Sequence, residues 1–344
     1  MRRPLSTALL LLAAYLIAPA ATGASHSGAG RHEAHAILEK IRTSPQLTNF
    51  SGTLVHQRGE SFRKLRIAHL RDGKNTFEKL EFLGESPREV VRVNGDLVHY
   101  FRSERTLIYH QEGPTGLFPI ALTGDTVWLA DFYALATDGL DKVAGQSCQV
   151  VRLVPKDKLR YAFEFCAEAS SGLPLRVSLM DDRNQVVEQI RFSQVNIGRV
   201  TRSAVRPSMA NTNRWHRKRL VQMDVESSQW QFRNLPSGFR RVRDIKKLPP
   251  DIVLMQAGET QEAADGKPVS EEVELDHIVY SDGVATLNIA VQRWNDRLQQ
   301  EGENRLEAKN VVTKRVGDFW LTITGELPAA ILRQISQSAE FKPK

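Results

Sequence analysis

The chain has 344 residues, 41% of them hydrophobic and 25% charged, an ordinary globular composition with room for about two domains. Its net charge of +7 suits an anionic partner such as lipid headgroups, acidic protein or nucleic acid. The N-terminus argues against the last of these, and no later apolar run is long enough to suggest a membrane-spanning body.

Arg2 and Arg3 precede an apolar run from Ala8 to Ala18, followed by Pro19 and small residues up to Ala24. A basic start, a short apolar stretch and small residues describe a Sec-type signal peptide over 1–24, with cleavage after Ala20 or Ala24. The run is shorter than the ~20 residues needed to span a bilayer. No cysteine lies near the cleavage site, so lipid attachment there is not expected. The mature protein is expected to be soluble and outside the cytoplasm.

His32 to Ile41 has the spacing of a helix, with Ala34, Ile37, Leu38 and Ile41 on one stripe. Closely spaced strands follow at Phe50–Gln57, Arg63–Leu70, Asn75–Leu83, Glu89–Val93, Leu97–Arg102 and Thr106–Gln111. Asp72-Gly73 and Asn94-Gly95 mark two of the turns. Asn-Gly favours a tight type I′ turn, because both central residues need positive φ. Consecutive strands joined this closely predict an antiparallel meander. Val91, Val93, Val98 and Tyr100 share one face of it, and Arg92, His99 and Phe101 share the other. The first face is expected to be covered or to bind something. Gly113–Gly124, with Leu117 and Phe118 among glycines and prolines, reads as an apolar lid or a buried loop. Asp125–Thr137 reads as a helix ending at Gly139, with Trp128, Phe132 and Leu135 on the face that would cover the meander.

Cys148 and Cys166 are the two cysteines and should pair in an oxidising compartment. The segment between them reads as a hairpin centred on Asp157. That register sets Val151 opposite Phe163, Leu153 opposite Tyr161 and Cys148 opposite Cys166, with the disulfide on the more polar face alongside Arg152 and Glu164. Strands resume at Leu175–Met180 and Gln185–Val195.

Arg199–Arg219 holds seven Lys and Arg residues and no acidic one. It reads as a solvated basic linker or as a phosphate-binding patch, and it divides a domain over 25–198 from another over 220–344. In the second domain, His277–Tyr280 and Val284–Val291 are strands around Ser281-Asp282-Gly283, and Val311–Val316 and Phe319–Thr324 flank Gly317-Asp318. Gly258–Glu274 reads as an exposed acidic loop. Ala329–Ala339 closes the chain as a helix.

Few residues form a chemical constellation. His32-Glu33-x-His35 falls one residue short of the HExxH zinc motif. His277, Ser281 and Asp282 have triad residue types, but Ser-Asp-Gly is sufficiently explained as a turn. No G-x-S-x-G elbow, phosphate loop or dinucleotide fingerprint is present. The expectation is a non-enzymatic binding protein with no catalytic residue, no metal and no cofactor. Lipid in the mouth of a sheet, or an extended polypeptide between domains, would be natural ligands.

Several blocks carry a resemblance. Glu78-Lys79-Leu80 with Leu83-Gly84-Glu85-Ser86-Pro87-Arg88-Glu89-Val90, then Pro155-Lys156-Asp157 with Arg160-Tyr161, resemble the MucB/RseB family of periplasmic regulators of the sigma-E envelope-stress pathway. So do Ser171-Gly172-Leu173-Pro174-Leu175, Leu235-Pro236-Ser237-Gly238-Phe239 and His277-Ile278-Val279-Tyr280-Ser281-Asp282-Gly283. Ser171 stands where that family usually has threonine. The blocks run in the family's order across nearly all of the mature chain.

The resemblance implies an α+β fold: a LolA/LolB-like curved antiparallel sheet (half-barrel) with covering helices, plus a smaller C-terminal α+β domain. It implies a periplasmic negative regulator that binds the periplasmic region of a membrane anti-sigma factor, RseA or MucA. Binding would shield that region from site-1 proteolysis, and lipid or lipopolysaccharide would favour release. A periplasmic lipid or lipoprotein carrier related to LolA is the alternative, and self-association is left open. Candidate lipid contacts are Leu117, Phe118, Trp128, Phe132 and Tyr100. Candidate partner contacts are Phe239, Tyr280 and Asp282, with Arg199–Arg219 as the hinge.

Overall fold

A computed structural model describes residues 28–84, 87–111, 117–118, 122, 124, 126–209, 211–219, 229–245, 275–294, 301–306 and 309–342. The expected signal peptide and the acidic loop Gly258–Glu274 lie outside these residues. Helix α1 (Gly28–Leu47) leads into six strands: β1 (Phe50–Arg58), β2 (Ser61–Asp72), β3 (Asn75–Leu83), β4 (Arg88–Val93), β5 (Asp96–Phe101) and β6 (Thr106–Gln111). A short helix α2 (Thr126–Phe132) precedes β7 (Tyr133–Val143), β8 (Gln146–Pro155), β9 (Ala162–Glu168), β10 (Pro174–Met180) and β11 (Val186–Ile197). A 3-10 turn at Arg202–Val205 and strand β12 (His216–Arg219) complete the first unit.

These strands form one open sheet in the order β12-β6-β5-β4-β3-β2-β1-β11-β10-β9-β8-β7. Every pairing is antiparallel except β12 on β6. Helix α1 covers the β7–β10 half, burying Ala34, Leu38 and Ile41 in one core with Leu135, Val151, Leu153, Phe163, Phe165 and Val177. The expected curved antiparallel sheet with covering helices is therefore present.

The meander follows the expected turns, and Asn94 takes a φ of 57° in the β4–β5 hairpin. Its covered face differs from the expectation. Val91 pairs with Val98 and Glu89 with Tyr100, while Val90 pairs with His99 and Arg92 with Leu97. The core includes Val90, Leu97, Phe101 and Ile108, all on the mixed face, and Val93 on the supposedly apolar face is 41% exposed. Alternation decides which side chains share a face, but not which face is covered. Two pairs among the inward polar groups offset part of the cost of their burial. Arg92 Nη1 donates to Glu78 at 3.0 Å, and the Nε2 atoms of His99 and His110 lie 2.8 Å apart.

The helix expected over Asp125–Thr137 stops at Phe132, and Tyr133 begins a strand whose Leu135 and Thr137 pair with Leu153 and Val151. Ladder bonds together with burial of Tyr133 and Leu135 prevail over the helical spacing. Helix α2 does not cover the meander. Leu129 is fully buried in the core that also holds α1 residues and second-domain residues.

The cysteines do pair, but the hairpin register differs from the one centred on Asp157. Cys148 lies opposite Glu168, Val150 opposite Cys166, Val151 opposite Phe165 and Leu153 opposite Phe163. The turn occupies more of Pro155–Tyr161 than a symmetric reading allows, because Asp157 Oδ1 accepts the Leu159 amide at 3.0 Å and organises it locally. Both cysteines are fully buried.

Arg199–Arg219 is laid along the first sheet and is not a free linker in the described residues. Val205 packs on Ala68 and Leu70. Ser208 accepts from Lys79 Nζ at 2.6 Å, and its amide donates to Glu89 at 2.8 Å. Glu89 belongs to the block Pro87–Val90 that carries part of the family resemblance, so that block anchors this segment.

The second unit holds β13 (Trp230–Phe232), β14 (Arg240–Ile245), β15 (Leu275–Ser281), β16 (Thr286–Arg293), β17 (Gly302–Leu306), β18 (Lys309–Val316) and β19 (Phe319–Gly325), then α3 (Ala329–Gln337) and β20 (Ala339–Phe341). Six of the strands form a sheet in the order β14-β15-β16-β19-β18-β17, and β13 pairs with β20. Helix α3 buries Ile331, Leu332 and Ile335, as its spacing predicts. Among the described residues no helix is long and apolar enough to cross a membrane.

Buried histidines make stability depend on pH. Burial, then His110 and Arg88, hold His99 neutral with its pKa lowered to about 3. Burial and the Arg243 charge lower that of His277 to about 4. Both fall below the ordinary value of 6.5, so the unfolded chain binds more protons between those limits. Stability is full above about pH 6.5 and declines as pH falls toward the folded values. The urea midpoint should therefore be lower at about pH 4.5 than at about pH 7.5, with a smaller difference in His99→Gln. Equal midpoints at the two pH values would contradict this.

Candidate functional site

The two units meet at a buried polar cluster built from three loops. Pro155-Lys156-Asp157 turns the chain between β8 and β9 and delivers Arg160, whose side chain is fully buried. Arg160 Nη1 donates to Asp282 Oδ2 at 2.7 Å and Nη2 donates to the Ser237 carbonyl at 2.7 Å. Its Nε donates to Asp157 Oδ1 at 3.2 Å. The planar fork thus ties the hairpin to two loops of the second unit, a task suited to arginine geometry. The rings of Phe132, Tyr133 and Phe239 lie 5.0, 5.6 and 5.7 Å from the guanidinium carbon, within cation–π range.

Asp282 is held from both sides. Its Oδ1 accepts the amides of Val284 and Ala285 at 3.1 and 2.8 Å, which shapes the Ser281-Asp282-Gly283 turn. Its Oδ2 accepts the Tyr133 hydroxyl at 2.9 Å as well as Arg160. Burial, then the Asp282 charge, push the Tyr133 phenol well above its ordinary pKa, so it is a neutral donor. The backbones also approach closely. Gly283 (φ +107°) faces Gly124, and Gly238 (φ +93°) lies where a Cβ would come within 2.6 Å of the Phe132 ring. Larger residues at Gly238 and Gly283 would be strained by backbone conformation and by contact alike.

The candidate residues divide among separate places. Trp128 and Phe132 are 5.2 Å apart in the joint, with the Arg240 guanidinium 3.8 Å over Trp128. Phe239 and Asp282 share that joint. Tyr280 packs against Phe232 at 6.1 Å and takes a hydrogen bond from Arg241 Nε at 3.2 Å. Leu117 and Phe118 lie elsewhere, in the core under the meander. The Phe118 ring is 6.2 Å from both Phe50 and Phe192, and the Leu117 amide donates to Glu78 Oε2 at 3.3 Å. Tyr100 is on the opposite face, beside Glu89. The five lipid candidates therefore do not line one cavity.

Sequence reasoning missed Arg160 and Tyr133 as joint residues. Arg160 could have been found, since it lies in the Pro155–Tyr161 block and Asp282 in the Tyr280–Gly283 block. The two family-like blocks meet here across 122 positions. Among the described residues no group of three or more His, Cys, Asp or Glu could hold a metal ion. Ser281 Oγ donates to the Ala285 carbonyl at 2.9 Å and His277 faces Asn288 at 3.2 Å, which are turn and strand roles.

These features define a two-unit β-rich protein whose second sheet is docked on the first through a buried arginine–aspartate joint. Residues 33–213 match the MucB/RseB N-terminal domain and residues 224–340 the MucB/RseB C-terminal domain. The chain belongs to the MucB/RseB family. It is 26% identical over 342 residues to the sigma factor AlgU regulatory protein MucB of Pseudomonas aeruginosa, covering 97% of this chain and 96% of that protein. It is 23% identical over 323 residues to the sigma-E factor regulatory protein RseB of Escherichia coli K12, covering 89% and 90%. Among solved structures, MucB in complex with MucA(peri) aligns at a TM-score of 0.65 and 22% identity, over 90% of this chain and 100% of that chain. MucB alone aligns at 0.66 and 22% identity, over 91% and 98%. At that identity the likeness is one of fold.

Proposed function

We propose that this chain is a periplasmic negative regulator of a sigma-E-type envelope-stress response. It binds the periplasmic region of a membrane anti-sigma factor of the RseA/MucA kind and shields it from site-1 proteolysis. The observation that carries this reading is the match to both domains of sigma-factor regulatory proteins along nearly the whole chain. A carrier related to LolA would need only the first sheet, whereas here the second unit is locked to it through Arg160 and Asp282. The protein acts by binding, with no catalytic residue, metal or cofactor, after export by the signal peptide over 1–24. We divide the mature chain into 25–198, a basic segment 199–219 and 220–344. Since 199–219 is docked on the sheet, any movement of the domains would be set by the joint.

Lipid or lipopolysaccharide is the signal that favours release in this proposal. If lipid and anti-sigma segment prefer different arrangements of the two domains, each weakens the other by the same factor. The inner core around Phe50, Phe118 and Phe192 supports a lipid contact at Leu117 and Phe118 better than at Tyr100, which lies on the other face. Phe239, Tyr280 and Asp282, buried in this arrangement, serve the partner by positioning the second domain.

The test is a digestion of the purified periplasmic fragment of the cognate anti-sigma factor by the site-1 protease. Saturating protein is expected to slow cleavage strongly, and added lipopolysaccharide to restore it. Cleavage at one rate with and without the protein would refute the proposal.

A further inference from the structure

Among the described residues, strand β12 ends the large sheet on the β6 side. It is unusual in being parallel to its neighbour and in consisting of His216, Arg217, Lys218 and Arg219, all exposed. The His216 amide donates to the Arg105 carbonyl at 2.9 Å. Alternation along a strand then turns the backbone groups of His216 and Lys218 toward β6 and those of Arg217 and Arg219 away from it. The side chains of Arg217 and Arg219 make no hydrogen bond or ion pair among the described residues. The adjoining β5–β6 turn adds exposed Arg102 and Arg105 to the same corner, with Glu104 as its acidic residue, and Arg214 precedes the strand.

We propose that β12 is an acceptor edge for an acidic, extended polypeptide strand, which pairs with the outward backbone groups of Arg217 and Arg219 and is selected by the surrounding cations. Edge strands offer unpaired N–H and C=O groups, and peptides use such edges by adding a strand. Lysine and arginine on an edge also repel wrong partners. A second copy of this chain would bring the same basic row and be repelled, while an acidic strand would be attracted. The row alternates, with His216 and Lys218 on one face of the sheet and Arg217 and Arg219 on the other. Cations on both faces suit a strand inserted between them better than a flat anionic surface. This proposal goes beyond the regulatory reading, because it names a surface and a ligand chemistry that hold for any protein presenting such a segment.

The test uses the full mature chain and fluorescence anisotropy with short peptides, so its result is independent of the protease-protection assay. The probes are a peptide alternating Glu and Thr, the same peptide with Lys for Glu, and two Glu/Thr peptides N-methylated at every second amide, one in each register. Vesicles containing phosphatidylglycerol form a separate arm. The Glu/Thr peptide is expected to bind, more weakly as salt rises, and the Lys/Thr peptide not to bind. N-methylation in one register should weaken binding about tenfold by removing backbone hydrogen bonds. The double substitution Arg217→Glu with Arg219→Glu should weaken it about tenfold by charge, with an unchanged melting temperature because both side chains are exposed. Three results would each overturn the proposal: no binding of the Glu/Thr peptide, equal binding of both N-methylated peptides and their parent, or vesicle binding that depends on Arg217 and Arg219 without peptide binding.

Discussion

Replacing Arg160 by methionine is expected to lower stability by about 3–5 kcal/mol, the cost of removing one member of a buried ion pair. The guanidinium serves Asp282, Asp157 and the Ser237 carbonyl at once and lies among three aromatic rings. Methionine restores much of the volume but leaves the Asp282 carboxylate buried with the Tyr133 hydroxyl as its side-chain donor. Asp282→Asn should cost less, because its remaining oxygen can keep accepting the Val284 and Ala285 amides that shape the turn. Urea unfolding of Arg160→Met, Asp282→Asn and the double variant would give the coupling energy directly. The single Arg160 variant should also expose the joint to limited proteolysis. A loss below about 1 kcal/mol would mean that apolar contacts hold the domains together and the ion pair does not.

Removing the disulfide is the second large effect. Cys148 and Cys166 are 18 positions apart, and closing a loop of that length restricts the unfolded chain by about 3 kcal/mol. The bond joins strands already paired, since Val150 lies opposite Cys166 and Cys148 opposite Glu168. Its contribution is therefore expected to come mainly from the unfolded state. With both sulfurs fully buried, reductant should act slowly on the folded protein and quickly once urea opens it. Cys148→Ala with Cys166→Ala should lower the urea midpoint to the value of reduced wild type, apart from a small packing loss. Equal midpoints for oxidised wild type and the double variant would show that the bond adds no stability.

Much of the first sheet was legible along the chain. The strands from Phe50 to Gln111, the Asn94-Gly95 turn, the cysteine pair and the closing helix with Ile331, Leu332 and Ile335 all follow from local spacing and turn chemistry. The family blocks were legible too, but not their meeting point. From the sequence Asp282 reads as a turn residue or a partner contact; in the structure it shapes its turn and is also the counter-charge of Arg160. Nothing local could reveal that pairing, because the two lie 122 positions apart. Helical spacing alone offers Trp128 and Phe132 as lipid contacts, and the same spacing serves equally well for a domain joint.

Neighbours in the chain suffice to show where the strands of the meander begin and turn, which side chains alternate together, and which two cysteines are available to pair. Contacts between distant segments settle which face of the meander is covered, how far α2 runs before Tyr133 enters a strand, and where the basic segment 199–219 lies. The physical reason is the same in each case. A face becomes a core, a helix yields to a ladder, and a charged stretch becomes an edge strand only through burial and hydrogen bonds supplied by distant segments. Those contributions are comparable to or larger than the local preferences they override.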